Sequence, residues 1–220
     1  MRTVVIGDLH GRSTWKLITY IENPDRVIFI GDYFDSFEIP GKEQVRNFLD
    51  ILDYKDDNSK TEVILLVGNH DLHYFPEIGQ NGTSGYQIRM APTINEIIDS
   101  NRSNLQAAYQ MGDFLFTHSG VSVEYMNNNF GTTNGWRPET VAMKLNELLK
   151  YQPRRLDFDK NGSDPTGNDE FQSPLWIRPA ALMSANWRTD LEDEFIQVFG
   201  HTSTMNVKSW PIKSNDKRYY

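Results

Sequence analysis

Residues 62–71 read EVILLVGNHD, an apolar run that ends at a glycine followed by three polar side chains. The segment Glu62–Val67 is rich in Val, Ile and Leu, which is typical of a buried β-strand. A specified tetrapeptide such as the one at 68–71 occurs by chance in a chain of this length with a probability of roughly 10⁻³. These ten residues are therefore the strongest local signal in the sequence.

The same arrangement occurs twice earlier in the chain. Thr3–Ile6 leads into GDLHG at 7–11, and Arg26–Ile30 leads into GDYFD at 31–35. Both apolar runs are predicted to be buried strands. Between the three runs lie two segments with helical spacing of apolar residues, Ser13–Ile21 and Lys42–Tyr54. The resulting β-α-β-α-β pattern predicts a mostly parallel sheet with helices on its faces.

The two predicted helices each have an apolar stripe. Ser13 is the expected N-cap of the first helix, and the stripes consist of Leu17, Ile18 and Ile21 in the first helix and of Val45, Phe48, Leu49 and Leu52 in the second.

The alternation weakens after residue 71. We predict helices at Pro92–Tyr109 and Glu139–Leu149, strands at Asp113–Thr117 and Phe195–Phe199, and a long surface loop at Asp157–Pro174. Near the end of the chain, Val207–Ile212 and Arg218–Tyr220 are candidates for short strands.

Composition limits the classes of protein that need to be considered. The 220 residues predict one domain, 1–220, with a sizeable core. A net charge of −8 disfavours a nucleic-acid partner. The chain has no cysteine, which excludes disulfides and thiolate metal sites and favours a cytoplasmic location. The short N-terminal apolar run predicts neither secretion nor membrane insertion.

Polar residues follow five of the predicted strands. They are Asp8, Asp32, Asn69, His118 and His201. Since ligands bind beyond the carboxyl ends of strands in open α/β sheets, we expect these side chains to converge. Four of the five histidines, all except His73, lie in these strand-end motifs. We interpret His73 as a structural or supporting residue.

The ordered series GDLHG, GDYFD, GNHD, TH and GHT, from residue 7 to residue 202, resembles the calcineurin-like metallophosphoesterases. Within them it most resembles small bacterial and bacteriophage members of the phosphoprotein-phosphatase (serine/threonine phosphatase) family. The resemblance implies an α/β fold of the four-layer α+β type. Such a fold has a central β-sandwich of mixed sheets flanked by helices, with the active site at the carboxyl ends of the strands.

The resemblance also implies a binuclear metal centre. Asp8 and His10 would hold the first ion, Asp32 would bridge both, and the second ion would be completed by Asn69, His118 and His201. The expected ions are two divalent metals, with Mn²⁺ as the first choice and Fe or Zn²⁺ as alternatives.

The implied reaction is direct attack of a metal-bridging hydroxide on phosphorus, without a covalent intermediate on the enzyme. His70 would act as the general acid that protonates the leaving group. Asp35 would hold the imidazole of His70 in the required tautomer.

Two departures from the family pattern bear on the substrate. Ser203 stands where many diesterases and nucleases of the superfamily have a second histidine, which favours monoester hydrolysis. Asp35 is followed by Ser36 and Phe37, whereas protein phosphatases continue with a phosphate-binding Arg and Gly. The candidates for binding the substrate phosphate are therefore Arg178, Arg12 and Asn69.

Only nineteen residues follow His201, where relatives usually place further strands of the second sheet. The sequence thus predicts C-terminal strands that are short or a second sheet that is incomplete.

The leading interpretation is a phosphomonoesterase that acts on phosphoprotein-type substrates, with small phosphoesters as further candidates. A second interpretation is a dinucleoside-polyphosphate hydrolase or another phosphodiesterase that uses the same site. A third is a binding scaffold that keeps the fold without catalysis. The sequence disfavours this scaffold because neither the ligands nor the His70–Asp35 pair has been lost.

Overall fold

A computed structural model describes residues 1–57, 60–80, 84–133, 136–185 and 196–208. The chain divides into two compact units, Met1–Gln106 and Ala107–Tyr220. The organisation of 1–220 as a single domain stays a prediction.

The first unit alternates strands and helices in the predicted order. Its elements are β1 (Thr3–Ile6), α1 (Thr14–Glu22), β2 (Arg26–Phe29), α2 (Gly41–Asp57), β3 (Glu62–Leu66), the single turn α3 (Asn69–Leu72), α4 (Ala91–Ser100), a 3-10 turn (Arg102–Asn104) and β4 (Leu105–Gln106). The strands form one parallel sheet in the order β1-β2-β3-β4. The segments that follow β1, β2 and β3 therefore leave the same edge of the sheet.

Burial within this sheet differs from strand to strand. Every residue of β2 is buried, and so are all residues of β3 except Glu62. The prediction of a buried strand is wrong for β1, in which Val5 is 37% exposed. The reason is that β1 is an edge strand of the described sheet.

Helix α1 packs through a different face from the predicted one. The expected stripe is exposed, with Leu17, Ile18 and Ile21 all on the surface. Trp15 is buried instead, in ring contact with Phe29 and Tyr54, and its indole N–H donates to Asn47 Oδ1 at 2.9 Å. Ser13 occupies the N-cap position, but its side chain makes no capping hydrogen bond. Burial of one large aromatic side chain with a hydrogen-bond partner is thus favoured here over burial of three aliphatic side chains.

Helix α2 supports the loop that follows β2. Its predicted stripe is buried except for Leu49, which is 41% exposed. Phe48 contacts the rings of Tyr33 and Phe34 at centroid distances of 4.7 and 5.1 Å. These aromatic contacts fix the centre of the 31–35 motif against the core.

The second unit contains a mixed sheet. Its elements are β5 (Ala108–Met111), β6 (Phe114–Thr117), α5 (Val123–Phe130), α6 (Pro138–Tyr151), a 3-10 turn (Pro153–Leu156), α7 (Pro179–Ser184) and β7 (Ile196–Val198). Strand β6 pairs antiparallel with β5 and parallel with β7. Because β6 and β7 run in the same direction, the residues after both strands lie at one edge of this sheet.

After α3, the structure corrects one predicted helix, adds one helix that was not predicted, and has no helix or strand where a long loop was predicted. The helix predicted at Pro92–Tyr109 is too long, because α4 ends at Ser100 and the remaining residues form the 3-10 turn, β4 and the start of β5. Helix α5 was not predicted, and it is capped by Ser122, whose hydroxyl accepts the N–H of Tyr125 at 3.0 Å. The prediction of a loop at Asp157–Pro174 is confirmed, because the segment contains no helix or strand. The prediction that it lies on the surface is wrong at its end, where Gln172 and Ser173 are buried.

Val207 and Lys208 lie outside any strand, and residues 209–212 and 218–220 of the two predicted C-terminal strands lie outside the described residues. Within the described ranges, no helix combines the length and apolar content needed to cross a lipid bilayer. The α/β class predicted from the sequence is confirmed, with one parallel and one mixed sheet accompanied by helices.

Candidate active site

The loops after β2 and β3 are joined by one buried carboxylate. Asp71 accepts the backbone N–H groups of Asp32, Tyr33 and Gly68 at 2.7, 2.8 and 2.8 Å. Burial, followed by the negative charge of Asp32, raises the pKa of Asp71 despite these three donors. Asp71 is the last residue of the strongest sequence motif, but no role was predicted for it. Asp71 therefore acts as a clamp between two of the motif loops.

Gly31 lies at the point where the two loops touch. Its φ is +99°, and a Cβ on Gly31 would overlap the backbone nitrogen of Gly68. Only glycine combines that conformation with that contact without strain.

Asp32 is buried and faces two histidines of the first unit. Its Oδ1 accepts the backbone N–H of His70 at 3.0 Å, and its Oδ2 lies 3.7 Å from His10 Nε2. His10 Nδ1 donates to the carbonyl oxygen of Phe34 at 2.6 Å. This hydrogen bond fixes the tautomer of His10, so that Nε2 carries the lone pair on the side of Asp32.

These three residues could hold a metal ion. One ligand atom from each of His10, Asp32 and His70 lies within 4.8 Å of the other two. Asn69, beside His70, is fully buried, and Asp8 is partly buried after β1. The first unit therefore brings His10, Asp32 and His70 together, with Asn69 next to them in the chain.

His70 and Asp35, which the sequence predicts to be an acid pair, are in direct contact. His70 Nδ1 lies 2.9 Å from Asp35 Oδ2, and it must be the donor because a carboxylate only accepts. Burial alone would lower the pKa of His70. The hydrogen bond with Asp35 and the charges of Asp32, Asp35 and Asp71 outweigh burial and raise this pKa to about 8. With Nδ1 bound to Asp35, Nε2 is the ring nitrogen on which the predicted acid role of His70 would depend.

Asp35 has two further partners on the turn that follows His70. His73 Nε2 lies 2.8 Å from Asp35 Oδ2, and the hydroxyl of Tyr74 donates to Asp35 Oδ1 at 2.6 Å. Burial would raise the pKa of Asp35, but the hydrogen bonds from His70, His73 and Tyr74 lower it below its ordinary value. The interpretation of His73 as a supporting residue agrees with this contact. Tyr74 was missed, because a single tyrosine in an apolar stretch gives no sequence signal.

The second unit brings its two candidate ligands together. His118, which follows β6, is fully buried, and His201 follows β7 by three residues. His118 Nε2 lies 3.2 Å from His201 Nδ1, and the carbonyl oxygen of His118 accepts the backbone N–H of Gly200 at 2.8 Å. Two imidazole nitrogens thus face the same point, as two ligands of one ion would.

The two candidate phosphate-binding arginines differ in their surroundings. Arg178 donates from Nη1 to Thr202 Oγ1 at 3.2 Å and to the carbonyl oxygen of His201 at 3.4 Å. Arg12 lies in the first unit, about half exposed, 3.7 Å from Glu38. Arg178 is therefore attached to the loop that carries a candidate ligand, whereas Arg12 faces an exposed acidic side chain.

Several candidate site residues adopt the left-handed backbone conformation that favours glycine. In the described ranges, five non-glycine residues have positive φ, and four of them are His10, Asp32, Asp35 and His201, with φ of 45°, 57°, 69° and 66°. Such conformations cost of the order of 1–3 kcal/mol each and cluster at functional sites.

The donor atoms fit a divalent metal. Carboxylate, imidazole and amide oxygen donors suit Mn²⁺, Fe and Zn²⁺, and the hydrogen bond from His10 Nδ1 to a carbonyl oxygen is typical of a histidine ligand.

Comparison with known proteins assigns the class. The chain belongs to the calcineurin-like phosphoesterase family, whose family model matches residues 1–203. No match was found among curated proteins.

Solved structures confirm the fold. A cold-active protein tyrosine phosphatase superposes with a TM-score of 0.60 at 20% sequence identity, covering 95% of this chain and 66% of that structure. A cold-active protein-tyrosine phosphatase of the psychrophile Shewanella sp. gives a TM-score of 0.56 at 20% identity, covering 92% and 66%. The chain thus spans about two thirds of the length of these structures.

Proposed function

We propose that the protein is a binuclear metal-dependent phosphomonoesterase that acts on phosphoprotein-type monoesters. The observation that carries the proposal is the geometry around His70, whose Nδ1 is bound by the buried Asp35 while His10 and Asp32 offer ligand atoms within 4.8 Å. A proton donor beside candidate metal ligands is the arrangement that metal-assisted phosphoester hydrolysis requires.

The proposed metal ligands are Asp8, His10, Asp32, Asn69, His118 and His201. When bound, two divalent ions neutralise the phosphoryl oxygens and make a nucleophile available at neutral pH. Mn²⁺ is the proposed native ion, with Fe and Zn²⁺ as alternatives.

Residues of the chain itself protonate the leaving group and bind the substrate phosphate. His70 donates the proton on Nε2 to the departing oxygen, and Asp35 keeps Nδ1 protonated and the ring oriented. Asn69 and Arg178 are proposed to contact the substrate phosphate, with Arg12 as the further candidate. A guanidinium held by the His201 loop would replace the arginine that other family members have after the Asp35 position.

Phosphoserine, phosphothreonine and phosphotyrosine are all included among the proposed substrates. Two solved structures with this fold are protein tyrosine phosphatases, which supports phosphotyrosine as a substrate. A second candidate is hydrolysis of dinucleoside polyphosphates or other diesters, which is favoured by Ser36 in place of the expected arginine. A non-catalytic scaffold is less well supported, because the acid pair is intact. A cytoplasmic location and the absence of nucleic-acid partners stay predictions of the sequence.

The test is a substrate panel with metal analysis. The metal-free protein is loaded with Mn²⁺, Fe²⁺ or Zn²⁺ and assayed on phosphopeptides, p-nitrophenyl phosphate, its bis-ester and dinucleoside polyphosphates. We expect release of inorganic phosphate from monoesters and its loss on chelation. Preferential cleavage of the polyphosphates would instead support the second candidate. No turnover of any substrate with any of the three metals would overturn the proposal.

The variant His70→Asn distinguishes a role of His70 as general acid from a role as metal ligand. We expect it to keep both metals and lose about 10²–10⁴-fold in turnover of alkyl phosphates, with a smaller loss for aryl phosphates, whose leaving groups need little protonation. Equal losses on the two substrate types would contradict the acid assignment.

A further inference from the structure

The carboxylate that orients His70 is itself held from three directions. Asp35 Oδ2 accepts from His70 and lies 2.8 Å from His73 Nε2, and Oδ1 accepts from Tyr74. Only the first of these contacts belongs to the acid pair. His73 and Tyr74 directly follow the turn that carries His70, so one short segment supplies all three contacts.

All three members of this network other than His70 are excluded from solvent. Asp35 is 3% exposed, and His73 and Tyr74 are 0% exposed. Hydrogen bonds to an ionised acceptor in such surroundings are strong and directional. Rotation of the carboxylate would leave at least one buried donor without its acceptor, which is costly. The orientation of Asp35 is therefore fixed by residues that do not reach the substrate.

The segment 85–87 in turn holds Tyr74. The backbone N–H of Gln87 donates to the hydroxyl oxygen of Tyr74 at 2.8 Å, which leaves the hydroxyl proton for Asp35. The ring of Tyr86 stacks on that of Tyr74 at 4.9 Å, with 12° between their planes. A Cβ on Gly85 would come within 2.5 Å of the carbonyl oxygen of Asp35, so this backbone packs directly on the Asp35 loop.

We infer that His73 and Tyr74 are positioning residues for the general acid: they hold Asp35 in the one orientation that keeps His70 aligned with the leaving group. The inference rests on the proposed function and extends it. The aromatic and backbone contacts of segment 85–87 complete the support.

A positioning role differs measurably from a purely structural one. If Tyr74 acts through His70, its removal weakens proton delivery and therefore slows only those substrates whose leaving groups need a proton. If it only stabilises the fold, any loss is the same for good and poor leaving groups.

The test compares Tyr74→Phe with a matched control. Tyr125→Phe removes a hydroxyl of similar burial in the second unit, where it donates to the carbonyl oxygen of Arg155 at 2.8 Å. Turnover is measured on phosphate monoesters from p-nitrophenyl to alkyl, with bound metal and circular dichroism recorded for each variant. We expect Tyr74→Phe to lose at least about tenfold on alkyl esters and less than about twofold on p-nitrophenyl phosphate. Tyr125→Phe should show no such selectivity.

Two variants at His73 keep the inference testable if Tyr74→Phe folds poorly. His73→Gln can still donate a hydrogen bond toward Asp35 and should retain more alkyl-ester turnover than His73→Ala. Adding Tyr74→Phe to His70→Asn should cost little more, because the acid has already been removed.

The outcomes separate the two claims. A wild-type protein without phosphatase activity overturns both the proposed function and this inference. An active wild type in which Tyr74→Phe and His73→Ala slow alkyl and aryl substrates equally leaves the proposed function standing and overturns the positioning role. Full additivity of Tyr74→Phe with His70→Asn overturns it as well.

Discussion

Replacing Asp71 with Ala removes the acceptor of three buried backbone N–H groups, those of Asp32, Tyr33 and Gly68. Leaving one buried donor without a partner costs about 1–3 kcal/mol. Three donors at the lower end of that range give a loss of about 3 kcal/mol. The upper end is not reached, because the variant also removes a carboxylate whose pKa is raised by burial, and such a charge is costly to bury.

The variant Asp71→Asn tests how the loss of stability depends on the number of hydrogen bonds that remain. Oδ2 of Asp71 accepts from Asp32 and Gly68, whereas Oδ1 accepts only from Tyr33. An asparagine that places its oxygen at the Oδ2 position keeps two of the three hydrogen bonds. We therefore expect a loss of about 1 kcal/mol, well below that of the alanine variant.

Urea unfolding at pH 7, followed by far-ultraviolet circular dichroism, measures both losses. The control is Asp53→Ala, an exposed carboxylate on α2, which should change the free energy of unfolding by less than about 0.5 kcal/mol. The reasoning fails if Asp71→Ala unfolds within about 0.5 kcal/mol of the wild type, or if the asparagine and alanine variants are equally destabilised.

Three further predictions concern single residues. Asn69→Ala should lower bound manganese from two ions toward one per chain in elemental analysis, and an unchanged stoichiometry would remove Asn69 from the ligand set. Gly31→Ala should destabilise the protein by about 1–3 kcal/mol in the same urea assay, because a Cβ overlaps Gly68 and φ is positive, and a neutral result would contradict the close approach of the two loops. Ser163 Oγ donates to Asp169 at 2.6 Å and lowers the pKa of that carboxyl below its ordinary 3.8. Ser163→Ala should therefore reduce stability above about pH 4, with a difference from wild type that disappears as pH falls through the lowered folded pKa; a difference that is the same at pH 2 and pH 7 would refute this.

The sequence predicted the parallel core of the first unit well. Thr3–Ile6 is reproduced as β1, and the strands predicted at Arg26–Ile30 and Glu62–Val67 each end one residue earlier in the structure. Short apolar runs that end at a glycine and a polar residue carry both the strand signal and the stop signal. The same pattern led to His10, Asp32 and His70, which the structure brings together.

Features set by tertiary contacts could not be predicted in this way. Leu105, Ala107 and Ala108 are good helix formers, yet the backbone here enters β4 and β5 because pairing with neighbouring strands overrides local preference. The roles of Asp71 and Tyr74 depend on partners 38 and 39 residues away, which no local periodicity reveals.

The left-handed backbone at His10 and His201 implies that stability and activity favour different residues at these two positions. Glycine adopts this conformation at no steric cost, so a laboratory selection that rewards heat resistance alone would be expected to enrich glycine at these two positions. The selected variants would be more stable but would lack the imidazole side chains of His10 and His201. Clones with glycine at positions 10 and 201 that are more stable and have lost phosphatase activity would be the expected result.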